Sequence, residues 1–381
     1  MNTSSIEEIF GYLKHNDYSL AIRRTLDTCL DTGNDALIND AIQWSTLYHQ
    51  QIATTTKEMP GAFFDKAQII LATANNYLAN TKAIKQPLLQ AKKISKQYKK
   101  GNFSLKPIDV TLYTGEVLGV VGENGNGKTT LLRSLAGQLA IDEGSIDYKQ
   151  LQQPDYYTIK NHIAFIPQRI PKWYGKLQDN LHFSAALHGV TGPKNNLMVR
   201  FMLERLGLTQ FAHLNWNQIS SGYRTRFELA RILLQKPKLL ILDEPLANLD
   251  INAQQTILTD LIFMAKGLHN PMGIILSSQQ LHEVEKVADT VLFIKQGQCI
   301  YSSNDKATQI TSTAIEFETI ASREKIMDIF TADTIELQYN GGFYTIISTT
   351  LTSQNIIHKM ILAGLPLTYF RDITYSTKRF F

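Results

Sequence analysis

Apolar positions at helical spacing dominate the start of the chain. Ile6, Ile9, Phe10 and Leu13, then Ile22, Leu26 and Leu30, then Leu37, Ala41 and Ile42 recur on the period of helices buried along one face. After Pro60 and Gly61, which punctuate the chain, Phe64, Ala67, Leu71, Ala74 and Leu78 continue that period in a longer run. The pattern predicts an all-α bundle of about four helices over residues 1–87. No side-chain signature repeats along it, so it is not read as a repeat array.

Near Pro87 the period shortens. Residues 91–98, 103–112 and 117–121 read as strands, with Gly101-Asn102 and Thr114-Gly115 as turns. From 88 to 304 strand patterns alternate with helical ones, which predicts an α/β core on a largely parallel sheet. Residues 118–121, 239–242 and 273–276 are apolar enough to be its buried strands. After Ser303 the order becomes strand (315–319), helix (323–330), two strands meeting at Asn340-Gly341-Gly342, helix (354–363) and strand (367–373). That β-α-β-β-α-β order predicts a small α+β ferredoxin-like domain over 305–381.

Composition narrows the class only a little. At 381 residues the chain is too long for one core, and 44% hydrophobic with 19% charged residues is ordinary for a globular protein. A net charge of +4 does not point to nucleic acid, and no direct nucleic-acid binding is expected. Cys29 and Cys299 are the only cysteines and lack metal-ligand spacing, which fits a reducing cytosol without disulfides or zinc. The first residues lack the basic start and apolar run of a signal peptide. No apolar stretch approaches the roughly 20 residues that span a bilayer. Any membrane work is therefore expected to pass through a partner.

The strongest chemical signal is Gly122-Glu123-Asn124-Gly125-Asn126-Gly127-Lys128-Thr129-Thr130, between an apolar strand and the helical run 129–139. Its glycines let backbone N–H groups curl round phosphates, Lys128 adds a point charge, and the Thr129 hydroxyl suits Mg²⁺. The opening of the helix adds partial positive charge. A Gly-rich turn without a ligand would not need the strand before it and the helix after it. Leu239-Leu240-Ile241-Leu242-Asp243-Glu244 is an apolar strand ending in two carboxylates, where an α/β sheet presents its chemistry. Asp243 suits the Mg²⁺ shell, and Glu244 could polarise a water attacking the γ-phosphate.

With these motifs in hand, residues 88–304 resemble the ATP-binding cassette (ABC) family. Ile219-Ser220-Ser221-Gly222-Tyr223 stands where that family has a Leu-Ser-Gly-Gly-Gln signature, ahead of the helical run 224–234. The resemblance implies that Ser220, Ser221 and Gly222 close over ATP held by another subunit; a serine and free N–H groups at a helix start make an anion site. Gln168, after the strand-like 162–167, resembles the Q-loop glutamine, which implies contact with Mg²⁺ and the attacking water and a link to a helical subdomain at about 169–225. Tyr98 resembles the aromatic that stacks on adenine, with Lys96, Lys99 and Lys100 beside it. A half-buried strand tyrosine in a solvated basic run is its other reading. Ala247-Asn248-Leu249-Asp250 occupies the D-loop position, which implies contacts of Asp250 across a dimer.

Departures from the family pattern bear on rate. Gln279 stands where the family has a histidine facing the γ-phosphate, and its amide can donate a hydrogen bond but cannot carry a proton or a charge. His282 is read as an ordinary surface residue of the following helix. Ser221 and Tyr223 replace a glycine and the glutamine of the signature, which are milder changes.

The resemblance implies an ATPase with ATP and Mg²⁺ as cofactors: Glu244, Lys128, Gln168 and Gln279 at the reaction, and Thr129, Gln168 and Asp243 at the metal. Its partners would be a second ABC subunit, in a homo- or heterodimer, and a separately encoded membrane permease, with the chain on the cytoplasmic face of the membrane. One cassette with an appended ferredoxin-like domain resembles export-type bacterial systems. Trp173 and Tyr174 either receive the permease or pack inside the helical subdomain. A soluble ABC ATPase acting on a macromolecule, or a slow ATP switch, is the alternative reading, kept open by the helical N-terminus and by Gln279.

Overall fold

The computed structural model describes residues 3–53, 59–79, 84–98, 103–149, 151, 155–247, 249–268, 271–303 and 312–374. The expected turn at Gly101-Asn102, Lys99, Lys100, Asn248 and the side chain of His282 lie outside what is described. The chain falls into two units, Met1–Ile300 and Tyr301–Phe381.

The helical period at the start forms α1 (Thr3–Lys14), α2 (Tyr18–Asp31), α3 (Asp35–Ala53) and α4 (Gly61–Leu78). Asp17 caps α2 by accepting the Leu20 N–H at 3.2 Å, satisfying a donor that the helix start leaves free. Ile22, Leu26 and Cys29 then fall on its buried face, and burial pushes the Cys29 thiol up to about 12. Trp44 closes the bundle, stacked on Phe63 at 4.8 Å and donating its indole N–H to the Phe63 carbonyl at 2.9 Å.

Next come β1 (Pro87–Gln97), β2 (Ser104–Tyr113), β3 (Val117–Val121), α5 (Lys128–Leu135), β4 (Glu143–Tyr148), α6 (Tyr156–His162) and β5 (Ile163–Ile166). A helical block follows, of α7 (Leu177–Leu187), α8 (Gly192–Arg205) and α9 (Ser221–Leu233). The unit ends with β6 (Leu239–Leu242), α10 (Ile251–Ala265), β7 (Gly273–Ser278), α11 (Leu281–Glu285), β8 (Thr290–Lys295) and β9 (Gln298–Ser302). The six-stranded sheet runs β5-β6-β7-β3-β8-β9, with parallel pairing from β5 through to β8. As expected, 118–121, 239–242 and 273–276 are its buried interior: helices on both faces require continuous apolar runs. A separate antiparallel sheet, β2-β1-β4, packs its apolar face into the same core through Leu89, Ile94, Val110 and Leu112.

The N-terminal helices belong to this same unit and are tied to it by charge. Arg205, on α8, is 2% exposed; it holds Asp27 of α2 with two bonds, from Nε at 2.8 Å and Nη2 at 3.0 Å, and pairs with Asp260 of α10 at 3.1 Å. Arg23 of α2 reaches the same Asp260 oxygen at 3.2 Å. Burial works against the guanidinium charge, yet Asp27 and Asp260 more than offset it and hold Arg205 protonated above its ordinary range. Beside it Glu204 accepts the hydroxyls of Ser45 and Thr209, each at 2.9 Å. Three helices from distant parts of the chain thus meet at one cation.

The second unit comprises β10 (Thr313–Glu318), α12 (Arg323–Ile329), β11 (Ile335–Asn340), β12 (Phe343–Ser348), α13 (Ser353–Leu362) and β13 (Tyr369–Asp372). Its antiparallel sheet runs β11-β12-β10-β13, which is the ferredoxin-like arrangement. Ile315, Phe317 and Ile346 meet Ile326, Ile356 and Met360 of the two helices in its core. Among the described residues no helix is long and apolar enough to cross a membrane.

Arg205→Leu strips Asp27 of its cation and leaves Asp260 with Arg23 alone, and breaking such a buried network costs about 3–5 kcal/mol. Denaturant unfolding of the full chain is expected to show that loss. Lys149→Ala, at the exposed pair with Asp147, is expected to shift it by no more than about 0.5 kcal/mol.

Candidate functional site

The loop 122–127 lies beyond the carboxyl end of β3, and Lys128 opens α5. Two of its glycines admit no side chain. A Cβ on Gly122 would stand 2.3 Å from the Ile294 carbonyl oxygen; one on Gly127, at φ 103°, would stand 2.5 Å from the Phe103 ring. Asn126 hooks the loop to the β8–β9 turn, its side chain accepting the Gln296 N–H and its carbonyl the Gly297 N–H, both at 3.0 Å. Glu123, Asn124 and Gly125 form the exposed crest.

Lys128 is buried at 4% exposure. Its ammonium donates to the carbonyls of Gly122 at 2.7 Å and Glu123 at 3.2 Å and pairs with Glu244 Oε1 at 3.0 Å. The Thr129 hydroxyl donates to Asp243 Oδ2 at 2.7 Å. Thr130 meets the Tyr98 hydroxyl at 3.3 Å; Tyr98 is partly exposed, with its ring tilted against Phe103 at 6.2 Å between centroids.

Asp243 and Glu244 follow β6 into the same space. Glu244 adopts φ 49°, the left-handed region, which costs a non-glycine residue about 1–3 kcal/mol and turns its carboxylate back toward the loop. Its second oxygen, Oε2, accepts the Gln168 amide at 2.9 Å and the Gln279 amide at 2.8 Å. Ser277, near the end of β7, accepts the Glu244 N–H at 2.9 Å and donates to Asp243 Oδ1 at 2.8 Å. Sequence reasoning passed over Ser277. The signal was there: a hydroxyl follows the apolar Ile274-Ile275-Leu276, where a buried strand otherwise continues apolar.

The other expected residues stand apart from this cluster. Helix α9 starts at Ser221, earlier than the run at 224 predicts, so Ser220 is its N-cap residue; its side chain makes no capping bond, and Ser220 and Ser221 are exposed. A Cβ on Gly222 would stand 3.7 Å from Leu249 and 3.8 Å from Ala253, an ordinary contact distance. Tyr223 packs on Phe211 at 4.0 Å between ring centroids. Asp250 caps α10 through the Ala253 N–H at 2.9 Å, so its carboxylate has a structural duty in this chain. Trp173 and Tyr174 divide: Trp173 is buried, stacked on Trp216 at 5.0 Å and donating to Glu228 at 3.1 Å, whereas Tyr174 is 81% exposed.

The donor sets fit their expected groups. Backbone N–H groups at the start of α5, a loop that excludes Cβ atoms and a buried ammonium suit a phosphate chain. A hydroxyl and a carboxylate oxygen 2.7 Å apart are hard oxygen donors suited to Mg²⁺ alongside phosphate oxygens. A phosphate loop between β3 and α5, facing two carboxylates on a neighbouring segment of a parallel sheet, defines a P-loop nucleotide-binding protein. Comparison with known proteins makes this specific. Residues 105–247 match the family described as ABC transporter. An ABC transporter ATP-binding protein of Bacillus subtilis, YxlF, is 32% identical over 213 residues, spanning 55% of this chain and 69% of that one. The phosphonates import ATP-binding protein PhnC of Lactobacillus gasseri is 30% identical over 243 residues, spanning 59% and 91%. The solved structure of cbiO1 from Clostridium perfringens superposes with a TM-score of 0.51 at 26% identity, covering 57% of this chain and 88% of that one. The chain belongs to the ABC transporter ATP-binding proteins.

Gly122→Ala drives a methyl group into a backbone carbonyl that has nowhere to move. Titration with a fluorescent ATP analogue is expected to show affinity falling about 10- to 100-fold, the equivalent of roughly 1.4–2.8 kcal/mol and within what overpacking costs, with the circular dichroism of the fold retained.

Proposed function

We propose that this chain holds Mg-ATP between its own loop, 122–130, and the segment 219–223 of a second ABC subunit, and that closure and hydrolysis drive a separately encoded permease from the cytoplasmic face of the membrane. The observation that carries the reading is the convergence of Lys128, Gln168 and Gln279 on the Glu244 carboxylate. Phosphate arriving at the loop competes with Glu244 for the Lys128 ammonium. Glu244 is then free to accept a hydrogen bond from a water aligned with the γ-phosphorus. That water forms the new P–O bond, the bond to the bridging oxygen breaks, and ADP and phosphate result. Mg²⁺, bound through Thr129, Asp243 and Gln168, would supply charge for the phosphate oxygens. Tyr98 would stack on the base.

Gln279 is placed to hold Glu244 and to donate one neutral hydrogen bond to the γ-phosphate. A histidine there could bring charge, and charge-assisted bonds are roughly twice as strong. This supports slow turnover and favours, as a second reading, a switch in which ATP governs association more than it is consumed. Ser220, Ser221 and Gly222 are exposed or partly exposed at the start of α9, as a site that completes a partner's pocket requires. Tyr174, Phe183 and Leu187 form exposed apolar positions on the helical block, suited to a permease segment. The solved relative cbiO1 is described as part of the transporter complex cbiONQ, which supports a permease partner.

Glu244→Gln removes the group that polarises water while leaving the loop intact, so ATP is expected to trap a dimer on size-exclusion chromatography; a monomer at saturating ATP sinks the closing sandwich. Gln279→His is expected to raise turnover about tenfold, the worth of roughly 1.4 kcal/mol of transition-state stabilisation. Phosphate release no faster than wild type rules this position out as the limit on rate.

A further inference from the structure

We propose that Ser277 is a positioning residue for hydrolysis: one hydroxyl sets both the carboxylate of Asp243 and the backbone of Glu244. The inference rests on the reading of the site given above. Ser277 is 0% exposed on β7, the strand between the phosphate-loop strand β3 and the acidic strand β6. A hydroxyl buried there must find partners, and it finds them across the strand ends. It donates to Asp243 Oδ1 at 2.8 Å while Thr129 donates to Oδ2 at 2.7 Å, so the carboxylate is gripped at both oxygens and its plane is fixed.

The second bond acts on Glu244. The register of β6 with β7 ends at Leu242 and Leu276, so the N–H of Glu244 lies past the last rung of the ladder. Ser277 Oγ accepts it at 2.9 Å, supplying the partner that the left-handed turn at φ 49° would otherwise forgo. With the turn held, the Glu244 side chain reaches Lys128, Gln168 and Gln279. The next residue, Ser278, serves a different duty, donating to Glu283 and accepting the Gln280 N–H. The two serines thus order the acids on one side and the backbone around Gln279 on the other.

The test uses the full chain in single-turnover hydrolysis of ATP with Mg²⁺, protein in excess, and titration with a fluorescent ATP analogue without Mg²⁺. Ser277→Ala removes the hydroxyl without adding volume; Ser277→Thr and Ser277→Val match each other in shape and differ in that group. Expected are a rate constant at saturation lowered about 10- to 100-fold in Ser277→Ala, the range for residues that orient a reacting group, nucleotide affinity within about threefold of wild type, and Ser277→Thr at least about tenfold faster than Ser277→Val. A wild-type rate in Ser277→Ala, affinity lost in step with rate, or equal rates for the Thr and Val variants overturns the proposal. Lys128→Ala runs alongside. If it hydrolyses normally, the reading of the site itself fails; if it is inactive while Ser277→Ala is normal, only the role of Ser277 fails.

Discussion

The buried pair of Lys128 and Glu244 is the interaction around which the rest of the site is arranged. Two ions at 4% and 9% exposure are costly to desolvate and persist only if their remaining valences are filled. Two loop carbonyls fill those of the lysine and two glutamine amides those of the glutamate. The sheet order explains how such distant residues meet. With β7 between β6 and β3, the loop after β3 and the acids after β6 face each other across the end of β7, and Ser277 and Gln279 occupy the gap.

The same arrangement gives the site two uses for one set of groups. Without phosphate, the charges of Lys128 and Glu244 satisfy each other, while Asp243 is held by the hydroxyls of Thr129 and Ser277. In the proposed reaction, phosphate takes over the lysine and the glutamate acquires a water. The neutral amides of Gln168 and Gln279 can follow the glutamate or turn to the ligand at little electrostatic cost, because an amide offers both a donor and an acceptor. A cationic residue at position 279 would strengthen the phosphate-bound arrangement and add a second cation to the resting pair. On the proposed reading, a neutral glutamine moderates both states.

Much of this was legible because it depends on local pattern. Ile22, Leu26 and Leu71 announce helices through their spacing, 239–242 announces a buried strand through unbroken apolarity, and Lys128, Asp243 and Glu244 sit where motif and strand end coincide. What was not legible depends on partners remote in sequence. Ser277 looks like the polar end of an apolar run until the strand order puts Asp243 and Glu244 beside it. Trp173 could not be parted from Tyr174 without Trp216 and Glu228 in view. Asp250 reads as a contact across a dimer, and only the start of α10 exposes its work as a cap. Arg205 gave no periodic signal at all, since Asp27 and Asp260 lie on other helices.

Arg205 also constrains which exchanges of segments this chain can tolerate. Its neutralisation is divided between the cassette, which supplies Asp260, and the leading helices, which supply Asp27. Replacing either segment alone leaves the buried Arg205 with one carboxylate in place of two. A chimera that grafts residues 88–304 onto a different leader would therefore carry a cation stripped of half its counter-charge. Paired replacement at positions 27, 205 and 260 is the exchange that would keep the charge there in balance.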